Sequence, residues 1–289
     1  MSPIRNGDET WKTDTVSGPD RLASPQPSQA AVYRRYAQLQ AIRGERFPEA
    51  AADGLAGRLI ACVGFGPEGA ELALAVTISG GTFLGIDPSS DRLKAAVRHG
   101  SCDFMVNTLE ESLRVLKNEI RKRKALSVGL LGDPSTILPA MVERGVQPDL
   151  VADTASSDSV ATVRLDRPAL LQLVERGAVR VDTQAAKHSS SAGLVEVVWT
   201  GESIADLKRM DTLALEQLPL DDAIRRRWLR QAAGCFHRQR PLQRVLDLRP
   251  EELTRLLRTF QDAIFAGKLQ SPAALHWQTA DGAKQSIAL

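Results

Sequence analysis

The stretch LIACVGFGPEGAELALAVTISGGTFLGID, Leu59 to Asp87, decides the fold. It passes from a short apolar segment through Gly64-x-Gly66-x-x-Gly69 into a helix of small residues, then into a second apolar segment closed by an acid. Strand, glycine turn, helix and strand in that order are the setting in which such a triplet reads as a dinucleotide-binding fingerprint. Gly64 permits the tight turn off the strand, Gly66 lets the backbone approach a pyrophosphate, and Gly69 lets the helix pack close to the sheet. The helix start then aims free N–H groups and the positive end of its dipole at the phosphates. Asp87 follows Gly69 by 18 positions, near the offset of about 20 at which an acid bonds the adenosine ribose. An acid there favours NAD over NADP, because it repels a 2′-phosphate.

Two residues inside the loop fit that chemistry poorly. Pro67 has no N–H to offer an anion, and Glu68 brings a negative charge toward the pyrophosphate position. Both are also good helix-start residues. The loop therefore leaves two readings open: a bound dinucleotide, or a turn kept for structure with no ligand.

At 289 residues and 43% hydrophobic content, the chain has length for one large or two small domains. A net charge of +2 supplies no field to draw nucleic acid or a membrane surface. No apolar run approaches the roughly 20 residues that span a bilayer, and the N-terminus lacks a signal-peptide core, so the expectation is a cytoplasmic protein. Cys62, Cys102 and Cys235 show no metal-ligand or CxxC spacing, and no metal is expected. Cys62, in the first strand, reads as a small buried hydrophobe.

Working outward, residues 1–28 are polar with Gly, Ser and Pro punctuation and read as a loose segment. Val32, Tyr33, Tyr36, Leu39 and Ile42 fall near helical spacing and predict a helix over Ala30–Arg46. Strands are expected at Leu59–Val63, Thr82–Ile86, Ala125–Leu131 and Leu150–Ala152, and helices at Glu68–Ser79, Asp91–His99, Leu109–Arg123 and Pro134–Arg144. That alternation predicts a parallel sheet covered on both faces. Beyond Ser157 the pattern weakens: a helix at Arg167–Arg176, strands at Val179–Val181 and Val195–Trp199, and a Ser-rich loop over Ala185–Gly193. From Ser203 the chain reads as mainly helical, with an amphipathic helix at Glu251–Ala266 and a strand at Arg244–Leu248. Arg225, Arg226, Arg227 and Arg230 lack interleaved aromatics and read as a solvated helix face, not a nucleic-acid site. His188 beside Ser189, Ser190 and Ser191 reads as a polar loop, since neighbours in sequence rarely face one another as nucleophile and base. His99 and His237 read as surface residues, and His276 has no companion ligand.

Several segments together resemble urocanase (urocanate hydratase). Gly64–Gly69 with Glu71–Thr77 (ELALAVT) looks like the family's strand and Gly-Leu-Gly-Gly-Met-Gly turn, and Gly54–Leu59 (GLAGRL) is similar to its lead-in. Asp87 with Arg92 (DPSSDR) looks like the acid and arginine that follow the second strand. Ser127–Asp153 (SVGLLGDPSTILPAMVERGVQPDLVAD) is the closest match. A looser one runs through Asp211–Pro219, Trp228-Leu229 and Glu251–Leu269. The resemblance implies tightly bound NAD+ used as an electrophile, with the nicotinamide ring as electron sink while water adds to urocanate.

The departures carry equal weight. The family's Gly-Gly-Thr-Gly-Lys segment, its cysteine in an Arg-Pro-Leu-Phe-Cys context and its late His-His-Gly-Gly-Gly stretch are not found; KHSSSAGLVEV, residues 187–197, runs where the cysteine is expected. Asp-Gln-Thr-Ser-Ala-His becomes Asp153-Thr154-Ala155-Ser156-Ser157-Asp158, and Gly-Asn-Ala becomes Gly132-Asp133-Pro134. Asp133 also reads as a helix N-cap with Pro134 at the first helical position.

The expectation is an α/β protein: a helical lead-in at 29–53, a urocanase-like Rossmann-like domain at 54–156, a connector at 157–202 and a mainly helical portion at 203–289. Gly64, Gly66, Gly69, Asp87, Arg92, Asp133 and Ser156 are the candidate NAD-binding residues, and no catalytic residue is identified. A shortened, divergent urocanase homologue with impaired hydration is expected, with a small-molecule ligand and a homo-oligomer or protein partner. An active NAD+-dependent hydro-lyase is the alternative. An ordinary dehydrogenase finds no placed general base.

Overall fold

The computed structural model describes residues 26–50, 54–155, 168–183, 193–236, 239–270, 273–278 and 284–289. Ser156, His188 with its serines, His237 and all but the last three residues of the expected loose N-terminal segment lie outside the described residues.

The first half of the chain runs α1 (Gln29–Arg46), β1 (Leu59–Val63), α2 (Pro67–Ile78), β2 (Thr82–Asp87), α3 (Ser90–His99), β3 (Phe104–Val106), α4 (Leu109–Arg121), β4 (Leu126–Leu131), α5 (Pro134–Glu143), β5 (Leu150–Asp153), α6 (Pro168–Glu175) and β6 (Val179–Arg180). The six strands form one sheet in the order β3-β4-β2-β1-β5-β6, with every neighbouring pair parallel. All residues of β1 and β2 are buried, as expected of central strands covered on both faces. Alternate residues of β1 serve different cores. Ile60 and Cys62 join the face covered by α1 and α2, whereas Leu59, Ala61 and Val63 join the face with Leu113, Leu138 and Leu173 from α4, α5 and α6.

β3 answers to no expected element. At three residues it is too short to display a period between two amphipathic helices.

The second half is mainly helical, with α7 (Ile204–Gln217), α8 (Ala223–Cys235) and α9 (Pro250–Phe265). To these it adds an antiparallel sheet in the order β10-β9-β7-β8, from β7 (Val195–Thr200), β8 (Gln243–Leu248), β9 (Ala274–Gln278) and β10 (Lys284–Ala288). β7 and β8 fall where strands are expected; β9 and β10 are five-residue segments whose mixed polarity gave no sign of them.

α1 joins the two halves. It packs along α2, and its Tyr33 and Tyr36 meet Trp228 of α8 at ring-centroid distances of 4.9 and 5.4 Å.

The arginines of α8 correct the sequence reading. Arg225 pairs with Asp222 and Glu252, Arg226 donates to the carbonyls of Leu215 and Leu218, and Arg227 donates to that of Ser79 at the end of α2. Only Arg230 of the four is exposed. Arg225, Arg226 and Arg227 are therefore an internal brace for helix-end carbonyls and carboxylates, which composition cannot distinguish from a solvated face, and Arg230 alone keeps the solvated position expected of the four.

Candidate active site

β1 lies between β2 and β5. The chain leaves β1 toward one side of the sheet and later returns to build the other, which makes the carboxyl end of β1 a topological switch point, where open α/β sheets bind ligands. The glycine loop sits there. Gly64 has φ +90° and donates its N–H to Ile86, and a side chain would stand 2.9 Å from the Ala155 nitrogen. A Cβ on Gly69 would stand 2.3 Å from the Gly64 carbonyl oxygen. Gly64 is thus required by the close approach of the chain beyond β5, and Gly69 by close approach within the loop itself.

Thr154, just past β5, fastens the turn from below, its hydroxyl 3.0 Å from the carbonyl oxygens of both Val63 and Gly64. The Cys62 thiol lies beside it, and burial pushes that thiol up to about 12. Phe65 turns into the core and meets Phe83 edge-on.

The start of α2 differs from that of six other described helices. Ser28, Ser89, Thr108, Asp133, Ser203 and Asp222 each accept a first-turn N–H of their own helix. At α9 the Glu252 carboxylate reaches back to the Arg249 N–H. α2 begins at Gly66 with no side-chain cap and with Pro67 in its first turn. Its leading N–H groups are therefore without a capping side chain at the positive end of the helix dipole.

Glu68 does not stand there as a bare charge. Arg35 of α1, 2% exposed, lies 3.6 Å from Glu68 and 3.9 Å from Glu71, and donates to the Thr183 carbonyl beyond β6. The expected conflict between Glu68 and a pyrophosphate is thereby offset by a cation from outside the motif. Neither Arg35 nor Thr154 carries a sequence signal: one is a basic residue on a helix, the other a hydroxyl after a strand.

Of the expected site residues, Gly64, Gly66, Gly69, Asp87 and Arg92 come together. Asp87 ends β2 and accepts the N–H of Phe65 at 2.7 Å, while Arg92 on α3 lies against its carboxylate at 3.0 Å. Asp133 reaches the same end of the sheet, because Gly132 donates to the Asp87 carbonyl. Its carboxylate there accepts the Ser135 N–H and caps α5. Ser156 lies outside the described residues. Among those described, no group of three His, Cys, Asp or Glu could hold a metal ion, and no helix is long and apolar enough to cross a membrane.

An uncapped helix start and a loop too tight for a Cβ fit the phosphates of a dinucleotide, and the acid at the end of β2 stands on the ribose side. A family model described as the urocanase Rossmann-like domain matches residues 29–198, more than half of the chain and including α1 with its Arg35. With a parallel sheet of Rossmann-like order and a match of that extent, the chain belongs to the urocanase family.

Proposed function

We propose that this protein is a urocanase-family member that holds NAD on the Gly64–Gly69 loop and has lost, or retains only weakly, the hydration of urocanate. The observation that carries the nucleotide half is the uncapped start of α2 at the switch point, where Gly66 leads the helix and Arg35 offsets Glu68. NAD+, when bound, would supply an electron sink at its nicotinamide ring. The chain would contribute loop amides for the pyrophosphate, Thr154 to hold the turn, and Asp87 and Arg92 on the adenosine side.

The loss of hydration rests on the residues that are changed. The family's cysteine context is absent, and burial pushes the Cys62 and Cys102 thiols up to about 12, far from a reactive thiolate. On this reading the 54–156 segment is the nucleotide-binding unit of a cytoplasmic protein related to histidine degradation, working as a homo-oligomer or with a protein partner.

Denaturing freshly purified protein and assaying the supernatant for NAD+ tests the first half, and following urocanate absorbance tests the second. Released or readily bound NAD+ with no urocanate consumption is the expected pair. Urocanate consumption would instead establish the active hydro-lyase. Protein that neither releases nor binds NAD+ would reduce the loop to a structural turn.

A further inference from the structure

The antiparallel sheet of the second half ends differently on its two sides. β8 forms one edge, and side chains of α1 and α8 bond its outward backbone groups: Gln29 spans Gln243 and Val245, while Tyr33 and Arg225 meet Asp247. β10 forms the other edge. It pairs with β9 in unbroken register, from Lys284 opposite Gln278 to Ala288 opposite Ala274, and contains no proline. Among the described residues no strand or side chain is bonded to its outer side.

Which groups face outward follows from the ladder. Just past the strand, the Leu289 N–H donates to the Ala273 carbonyl at 2.8 Å, so Leu289 turns its backbone toward β9. In an antiparallel pair the N–H and C=O of one residue point to the same neighbour, and the next residue points the other way. Ile287 and Gln285 therefore also face β9, whereas Lys284, Ser286 and Ala288 present their N–H and C=O groups away from the sheet. Such a row of groups is a template for another strand.

The outward residues are spaced evenly about Ser286. A two-fold axis there lays β10 antiparallel on a second copy of itself, with Ser286 opposite the partner's Ser286 and Lys284 opposite the partner's Ala288. Every outward N–H then meets an outward C=O of the other strand. Only Ser286 faces its own counterpart, and serine carries no charge to repel itself. Lys284, the one charged residue of the strand, is set opposite an alanine. Ile287, half-buried at the edge, gains the partner's Gln285 as a cross-strand neighbour on the face it shares with Leu275 and Trp277.

We infer that β10 is a self-association edge, through which two copies of this chain join antiparallel about Ser286 so that their four-stranded sheets become one continuous sheet. The contact is isologous and closes on itself. Growth stops at two, because both ends of the joined sheet are then β8 edges, which α1 and α8 cover. Of the homo-oligomer and the protein partner proposed above, the edge selects the first; the inference rests on that half of the reading and not on NAD.

The test is sedimentation velocity of the full chain, with amide hydrogen exchange resolved to single residues. Five residues a side make a small interface, so a weak dimer is expected, half-dissociated at about 10–50 μM. A protein still monomeric at about 300 μM overturns the inference. In the dimer the Ser286 and Ala288 amides should be protected and should be released on dilution, while those of Gln285 and Ile287 stay slow throughout. Fast exchange at Ser286 and Ala288 at every concentration overturns it as well.

Ser286→Pro removes an outward N–H and leaves the bonds to β9 in place, so it should abolish the dimer with the thermal midpoint kept. Ser286→Glu and Ser286→Lys do not depend on the strand accepting a proline. Each sets like charges across the axis and should weaken the dimer by about fivefold or more, and mixing the two should restore it as a heterodimer. A dimer that survives both charged variants, or a mixture no tighter than either alone, overturns the edge while leaving self-association by another face.

Discussion

Gln29 and Val245, 216 residues apart in sequence, are joined as neighbouring strands would be. The Gln29 carboxamide accepts the Val245 N–H at 3.0 Å and donates to the Gln243 carbonyl at 3.0 Å, reproducing both halves of a ladder step along the free edge of β8. The edge continues in the same manner. Trp228 donates to the Val245 carbonyl, the Tyr33 hydroxyl accepts the Asp247 N–H, and Arg225 donates to the Asp247 carbonyl. An open edge strand would be a template for another chain, and here side chains of α1 and α8 close it.

Gln29→Ala should therefore destabilise the fold although it removes no apolar contact of note. It leaves a buried N–H and a carbonyl without partners, a loss of about 1–3 kcal/mol. Urea denaturation measures it directly, and an unchanged midpoint would show that water replaces the carboxamide freely.

Gly69→Ala tests the loop through the sign of its effect. In an ordinary helix the change stabilises by up to about 1 kcal/mol. Here the new Cβ would stand 2.3 Å from the Gly64 carbonyl oxygen, which is backbone and cannot swing aside. A loss of about 1–3 kcal/mol is expected, with NADH affinity reduced by tenfold or more as the turn shifts. A stabilised variant would mean that the loop has room.

These two sites divide sharply in how far the sequence announced them. The glycine loop and Asp87 were legible because backbone constraints write themselves into residue type: Gly64 needs positive φ, and Gly69 needs to lack a Cβ. The parallel sheet was legible because strands buried on both faces are continuously apolar. Gln29, Arg35 and Arg225 were not, since a polar residue in a helix looks the same whether water or a distant carbonyl is its partner. Asp87 lies between the two cases. Its place could be read from spacing, but the filling of its acceptor sites depends on Phe65, Ser89 and Arg92 folding around it. β9 and β10 stayed hidden because pairing with β7 and with each other, not periodicity, makes them strands.

Arg244 and Asp211 form a buried pair, 2% and 5% exposed, at 2.7 Å, with the Trp199 indole donating to the same carboxylate at 3.2 Å. Arg244→Met should cost about 3–5 kcal/mol, because it strands a carboxylate in the core beside a single indole donor. Adding Asp211→Leu should recover most of that loss, since an apolar pair removes the uncompensated charge. Thermal unfolding of the single and double variants decides the point. A double variant no better than the single would assign the loss to packing instead of charge.

Asp247 makes stability depend on pH in the opposite sense to an ion-paired acid. It lies on β8 directly across from Glu196 on β7. Burial, with Glu196 adding to it, pushes the Asp247 carboxyl up to about 6, against the opposing pull of Arg225 and Arg34. The folded state thus holds this proton more tightly than the unfolded chain, whose aspartates titrate near about 3.9. The stabilisation is complete below about pH 4 and is lost as pH rises through about 6, about 3 kcal/mol in all. Asp247→Asn removes the titration and keeps the backbone bonds to Tyr33 and Arg225. Relative to the variant, the wild-type protein should lose stability between pH 4 and 7, so that the asparagine form is the more stable by about 3 kcal/mol at pH 7.5. Urea midpoints of both proteins across that range provide the measurement. A wild-type-minus-variant difference that stays flat with pH would place the Asp247 proton in water and remove the cross-strand repulsion from the account.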